Sequence, residues 1–206
     1  MTTNRTSPAV ANHHADHPGF SGIGGLLAGL SMLVGRGAVA RLAADLAAVT
    51  GDDRVVDVGC GPGAAAREAA RRGAGVTGVD PAPVMLKLAR RLTHPRSSIA
   101  WQEGAAEALP LPDGAATVMW SISTVHHWPD LHAGLAEAHR VLRSGGLLLA
   151  IERRSRPGAK GLASHGWTED QAAAFADLCR AAGFTDVRVE THTPGRGALL
   201  IVQARR

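Results

Sequence analysis

Apolar positions recur along this chain with two alternating periods. Runs rich in Val, Ile, Leu and Ala at residues 54–58, 76–79, 99–102, 117–121 and 147–151 are too short for helices and read as buried strands. Helical patterns lie between them. Residues 64–72 follow the first run and stop at Gly73 to Gly75, while residues 131–142 carry Leu135, Ala138, His139 and Leu142 along one face. Thr168 can cap a further helix that runs to Ala182 and closes at Gly183. Upstream, Val39, Leu42, Ala43, Leu46 and Val49 predict a helix over residues 36–49, turned into the first strand by Thr50, Gly51 and Asp52. Arg143 to Gly146 read as a tight turn into the fifth strand, and residues 184–193 and 197–205 read as a final hairpin. Strands alternating with helices predict an α/β domain around a parallel sheet.

The glycines say where such a sheet would do its work. The stretch RVVDVGCGPG, residues 54–63, is a β-branched strand ending in Gly59, Gly61 and Gly63. A strand entering a glycine turn entering a helix presents backbone N–H groups and a helix N-terminus to a nucleotide-like cofactor beyond the sheet. Gly59, Gly61 and Ala64 also satisfy the dinucleotide pattern G-x-G-x-x-G/A. Asp57 separates the two classes, because a carboxylate there would repel a pyrophosphate and attract an ammonium or sulfonium. Asp80 closes the second strand, about 20 residues past the first glycine, where a carboxylate can accept both hydroxyls of a ribose. Followed by Pro81, it fits a helix N-cap equally well.

Composition narrows the setting. With 206 residues, 45% hydrophobic and 19% charged, the chain is one ordinary globular domain. Cys60 and Cys179 fall in separate elements, as expected of reduced thiols in the cytoplasm. A net charge of +4 is spread over scattered basic residues, so no nucleic-acid partner is expected. Residues 20–34 are apolar but broken by Gly22, Gly24, Gly25 and Gly29, too short and too interrupted to span a membrane. Ala38-Val39-Ala40 looks like a secretory cleavage site, but the flanks lack a compact basic region. Residues 1–50 are therefore expected to form a mobile, partly helical segment over the cofactor site, with residues 51–206 as the binding domain. His13 and His17 have metal-ligand spacing beside His14 and Asp16, but no second ligand pair has recognisable spacing. An exposed tail and no metal centre are expected.

The spacing acid-x-Gly-x-Gly-x-Gly resembles the first motif of the class I S-adenosylmethionine-dependent methyltransferases. That resemblance implies a Rossmann-like seven-stranded sheet, order 3-2-1-4-5-7-6 with the last strand antiparallel and helices on both faces. It also implies S-adenosylmethionine as cofactor and S-adenosylhomocysteine as product. Asp57, Gly59, Cys60, Gly61, Pro62 and Gly63 would form the cofactor loop, Asp80 would hold the ribose, and Pro81 and Met85 would border the adenosine. EGAAEALPLPDGAATVMW is similar to the family's third-strand loop and fourth strand, where Gly104 precedes an acid for the adenine amino group and then a small residue. Here those positions are Ala105 and Ala106, so the acid is missing. Ala116-Thr117 departs as well, where many relatives carry an aromatic and an acid.

Ser121, at the carboxyl end of the fourth strand, is expected to border the cofactor. His126, His127, Trp128 and Asp130 resemble the HHxxD segment of the ubiquinone/menaquinone-biosynthesis-like branch, which makes His126 and His127 the catalytic candidates; helix capping or packing is the alternative for both. The expected function is methyl transfer to a small-molecule or lipid-like acceptor by a monomer or homodimer. Two alternatives stand beside it: a methyltransferase-like cofactor-binding protein with little activity, and an NAD(P)-binding oxidoreductase, although the chain has no tyrosine for a Tyr–Lys pair.

Overall fold

In the computed structural model, residues 36–193 and 197–206 are described. The histidines at 13–17 and the apolar stretch 20–34 lie outside them. The described chain begins with helix α1 (Arg36–Leu46) and continues β1 (Arg54–Val58), α2 (Ala64–Arg71), β2 (Gly75–Asp80), α3 (Pro83–Leu92), β3 (Ile99–Glu103) and β4 (Ala116–Ile122). A short 3-10 turn, Val125–His127, leads to α4 (Leu131–Val141), β5 (Leu142–Arg153), a second 3-10 turn (Gly161–Ser164), α5 (Glu169–Ala181), β6 (Thr185–His192) and β7 (Leu199–Arg205).

The strands form one seven-stranded sheet in the order β3-β2-β1-β4-β5-β7-β6. Pairings among β1 to β5 are parallel, and β7 is antiparallel to both β5 and β6, as expected. Each central strand is buried on both faces, so alternate residues feed two separate cores. Val55, Val118, Trp120, Leu147, Leu149 and Ile151 pack with α1 and α2. Val56, Val58, Met119, Leu148 and Ala150 pack with α4 and α5 on the other face. Helix α5 starts where the sequence places it: Thr168 and Gln171 form a reciprocal capping box.

Three features depart from the sequence expectation. Helix α1 ends at Leu46 rather than Val49, because Ala48 takes a positive φ of 48° and Val49 N–H turns back to the Ala44 carbonyl. The tight turn expected at residues 143–146 is absorbed into β5, since Gly145 N–H donates to the Arg206 carbonyl and Arg206 N–H to that of Gly146. The alternation in β6 buries no face: this edge strand is exposed along most of its length, Val187 excepted.

Candidate active site

The parallel order places the carboxyl ends of β1 and β4 side by side, and a cleft opens beyond them. It holds about 460 Å³ of empty space, partly open to solvent, and is lined by Val39 and Ala40 of α1, Asp57, Gly59, Cys60, Pro62, Ala64, Ala65, Ile122 and Ser123. Among these described lining residues Asp57 is the one charged group. Its side chain is almost wholly buried, and Oδ2 accepts the Ala66 N–H at 3.1 Å in the first turn of α2. Arg67 lies close by, donating to the Pro62 carbonyl at 2.5 Å; burial lowers its pKa and the Asp57 charge partly offsets that.

The glycine loop is clamped from both sides. Asp80 Oδ2 accepts the Gly61 N–H at 2.8 Å, and Oδ1 accepts the Ala82 N–H at 2.9 Å, so one carboxylate ties the loop to the start of α3. Burial pushes the Asp80 pKa up, with these two hydrogen bonds opposing it. Gly59 and Cys60 N–H groups both donate to the Val79 carbonyl at the end of β2. At Gly63, with φ of 78°, a Cβ would sit 2.2 Å from the Trp101 ring, so the indole from β3 closes over the loop only because no side chain is there. Burial also raises the Cys60 thiol far above the ordinary thiol range, with the Asp57 and Asp80 charges adding to it. Held as the thiol, it is a weak nucleophile.

Not every sequence candidate reaches the cleft wall. Asp57, Gly59, Cys60 and Pro62 line it, whereas Gly61, Gly63, Asp80 and Met85 are buried and not among the lining residues. Ser121 is fully buried, its hydroxyl bonded to that of Thr124, which in turn donates to the Val58 carbonyl. The wall at this point is made instead by Ile122 and Ser123. Ser123 holds a left-handed φ of 58°, secured by its N–H to the Ile151 carbonyl at 2.7 Å. Such a conformation costs a non-glycine residue about 1–3 kcal/mol, and nothing in the local sequence announces it.

Gly104, Ala105 and Ala106 form a narrow loop past β3, with the Ala105 carbonyl accepting the Ala108 N–H at 3.2 Å. Ala106 is buried, and Glu107 Oε1 accepts the Asp130 N–H at 3.2 Å. Asp130 itself caps α4 through the N–H groups of His132 and Ala133. The rest of the HHxxD segment is held by a residue that sequence reasoning passed over. Glu152, fully buried near the end of β5, accepts the Val125 N–H at 2.9 Å through Oε1 and pairs with His126 Nδ1 at 2.9 Å through Oε2. With Glu152 as acceptor Nδ1 donates, which leaves His126 Nε2 as the acceptor nitrogen; it is buried without a hydrogen-bond partner among the described residues. Trp120 and Trp128 are core, in opposite layers.

Residues 56–150 match the family model described as Methyltransferase domain. The demethylmenaquinone methyltransferase of Tropheryma whipplei is 36% identical over 112 residues, 54% of this chain and 46% of that protein. The 2-methyl-6-phytyl-1,4-hydroquinone methyltransferase of Synechocystis is 37% identical over 103 residues, 50% of this chain and 32% of that one. The chain thus spans half or less of the length of these relatives. Among solved structures, an S-adenosylmethionine-dependent methyltransferase from Mesorhizobium loti superposes with a TM-score of 0.68 at 24% identity, covering 84% of this chain and all of that one.

Over residues 56–150 the chain is therefore similar to S-adenosylmethionine-dependent methyltransferases, among them the relatives named for demethylmenaquinone and a phytyl hydroquinone, and its sheet has the same fold. S-adenosylmethionine is the cofactor of this family, and the donor set fits it: a buried carboxylate between apolar walls suits a cation and opposes a pyrophosphate.

Proposed function

We propose that this protein transfers a methyl group from S-adenosylmethionine to a small-molecule or lipid-like acceptor. Asp57 carries the reading, as the single charge on the described cleft wall and of the sign that suits the cofactor's ammonium or sulfonium. The bound cofactor supplies a methyl already activated by its sulfonium, so alignment can provide most of the acceleration. Asp80 fixes the loop through Gly61 and keeps lone pairs for ribose hydroxyls; Pro81, Met85, Gly104, Ala105 and Ala106 surround the adenosine side. Val39 and Ala40 in the cleft wall support a role for the N-terminal segment as its cover.

His126 and His127 follow the cleft-lining Ser123. In the metal-free protein His126 Nε2, the acceptor nitrogen of the tautomer that the Nδ1–Glu152 bond selects, can take a proton from an acceptor hydroxyl. The relatives named for demethylmenaquinone and for a phytyl hydroquinone favour a quinol-type ring with an isoprenoid tail as acceptor. Among the described residues no helix is long and apolar enough to cross a membrane, in keeping with an enzyme that works from the cytoplasm.

Titration calorimetry with S-adenosylmethionine and with NADP, followed by labelled methyl transfer to a panel of quinols, tests this reading. Binding of S-adenosylmethionine alone and label in a quinol are expected; binding of NADP alone would overturn it. The missing acid at Ala105 favours a second reading, a binding protein with little activity. Tight S-adenosylmethionine binding without transfer to any acceptor would select it.

A further inference from the structure

Three imidazoles from two distant segments meet near the carboxyl ends of β4 and β5. One nitrogen of each of His126, His127 and His165 lies within 4.8 Å of one nitrogen of each of the others. The ring centroids of His126 and His127 are 4.0 Å apart, and those of His165 stand 5.6 and 5.8 Å from them. Glu152 grips His126 at Nδ1 and, through the Val125 N–H, the turn that also carries His127.

His165 is delivered by a separate backbone clamp. The Arg153 guanidinium donates to the His165 carbonyl through Nε at 3.1 Å and Nη2 at 2.9 Å, Trp167 N–H donates to the Arg153 carbonyl, and Ser155 N–H to that of Trp167. Gly166 lets the strands approach: with φ of 123°, a Cβ there would sit 2.0 Å from the Arg153 carbonyl oxygen. Anchored from both sides, the cluster also contains the buried and unpartnered His126 Nε2.

We propose that His126, His127 and His165 bind one divalent transition-metal ion of the zinc or cobalt type, with Glu152 orienting His126 from behind. Three neutral imidazoles are borderline-soft ligands that suit Zn²⁺ or Co²⁺ and not Mg²⁺ or Ca²⁺, which demand oxygen. Ligand bonds of about 2.0–2.1 Å in a tetrahedral site put the nitrogens about 3.4 Å apart, so the rings draw in by up to about 1.4 Å, within the reach of side-chain rotation. A carboxylate on the far nitrogen of a ligating histidine fixes its tautomer and raises its basicity, which is the part Glu152 plays. Three protein ligands leave the fourth position open to water or to an oxygen of a bound molecule. The inference does not rest on methyl transfer, and its measurement stands whether or not turnover is seen.

The test uses the full chain with His13, His14 and His17 replaced by alanine, so that the N-terminal histidines cannot contribute. Equilibrium dialysis against Zn²⁺ and the visible spectrum of the Co²⁺-loaded protein are the readouts. One ion per chain and tetrahedral cobalt bands are expected, with no competition from millimolar Mg²⁺. Glu152→Gln should weaken Zn²⁺ binding by about ten- to a hundredfold, and His165→Ala by more. His165→Gln, melted in the presence of chelator, controls for folding. Less than one ion per chain, octahedral cobalt bands, or equal binding by a His127→Ala/His165→Ala double variant would overturn the site; if the variants fail to fold, the cobalt spectrum of the parent protein decides alone.

Discussion

Asp80 clamps the glycine loop and is proposed to hold the cofactor's ribose, and its replacement separates the two. Asp80→Ala deletes the acceptors of the Gly61 N–H at 2.8 Å and the Ala82 N–H at 2.9 Å. Gly61 is buried, so its orphaned N–H costs about 1–3 kcal/mol; Ala82 is half-buried and open to water, so its lost bond costs about 0.5–1.5 kcal/mol. The sum, about 1.5–4.5 kcal/mol, corresponds to a fall of roughly 3–18 °C in the melting midpoint of a domain of this size. Asp80→Asn keeps one acceptor oxygen but turns an NH₂ group toward the other donor, so it should lose about half as much. In calorimetry, S-adenosylmethionine should bind Asp80→Ala more weakly by about 1–3 kcal/mol, or roughly five- to a hundredfold. Scanning calorimetry of the ligand-free variants and titration with cofactor read the two effects apart. An unchanged midpoint would refute the clamp, and a lowered midpoint with unchanged affinity would refute the ribose role.

Three further outcomes follow from the same geometry. Glu68 is held down to about 2 by hydrogen bonds from Arg71, with Arg72 adding to them against burial, while Arg72 also reaches Asp45 of α1 at 2.6 Å. A lowered pKa stabilises the fold above the ordinary carboxylate range and loses that stabilisation as pH falls through it, so the gap in urea midpoint between wild type and Glu68→Gln should be full at pH 7 and close between about 4.5 and 2. Ala105→Asp should tighten S-adenosylmethionine by about tenfold in titration, while Glu107→Gln, whose carboxylate serves the Asp130 N–H, should leave it unchanged; the reverse pattern would assign the adenine amino group to Glu107. Replacing the general base among His126 and His127 by alanine should lower kcat about a hundredfold or more with cofactor affinity intact, and full turnover in both single variants would remove the general-base role.

The local pattern of the sequence was enough for most of what depends on neighbours along the chain. Alternation of apolar runs with helical repeats defines the α/β order, Thr168 announces the start of α5, and Asp57, Gly59, Gly61 and Gly63 mark the glycine turn proposed for the cofactor because strand, acid and glycines are contiguous. What the tertiary structure decided is which side chains face the cleft and which distant groups meet. Ser121 and Ser123 are two residues apart on the same strand end, and no composition rule says that the first is sealed by Thr124 while the second bends outward at positive φ. Trp101 covers Gly63 across three elements, an approach that a pattern read one segment at a time cannot contain. Glu152 and His165 stayed silent because their meaning comes from β5 lying beside β4 and from a clamp at Arg153, which bring to His126 residues 26 and 39 positions away. Hydrophobic period places a residue on a face; only the assembled sheet, which sets the ends of β1, β4 and β5 side by side, converts faces into a site.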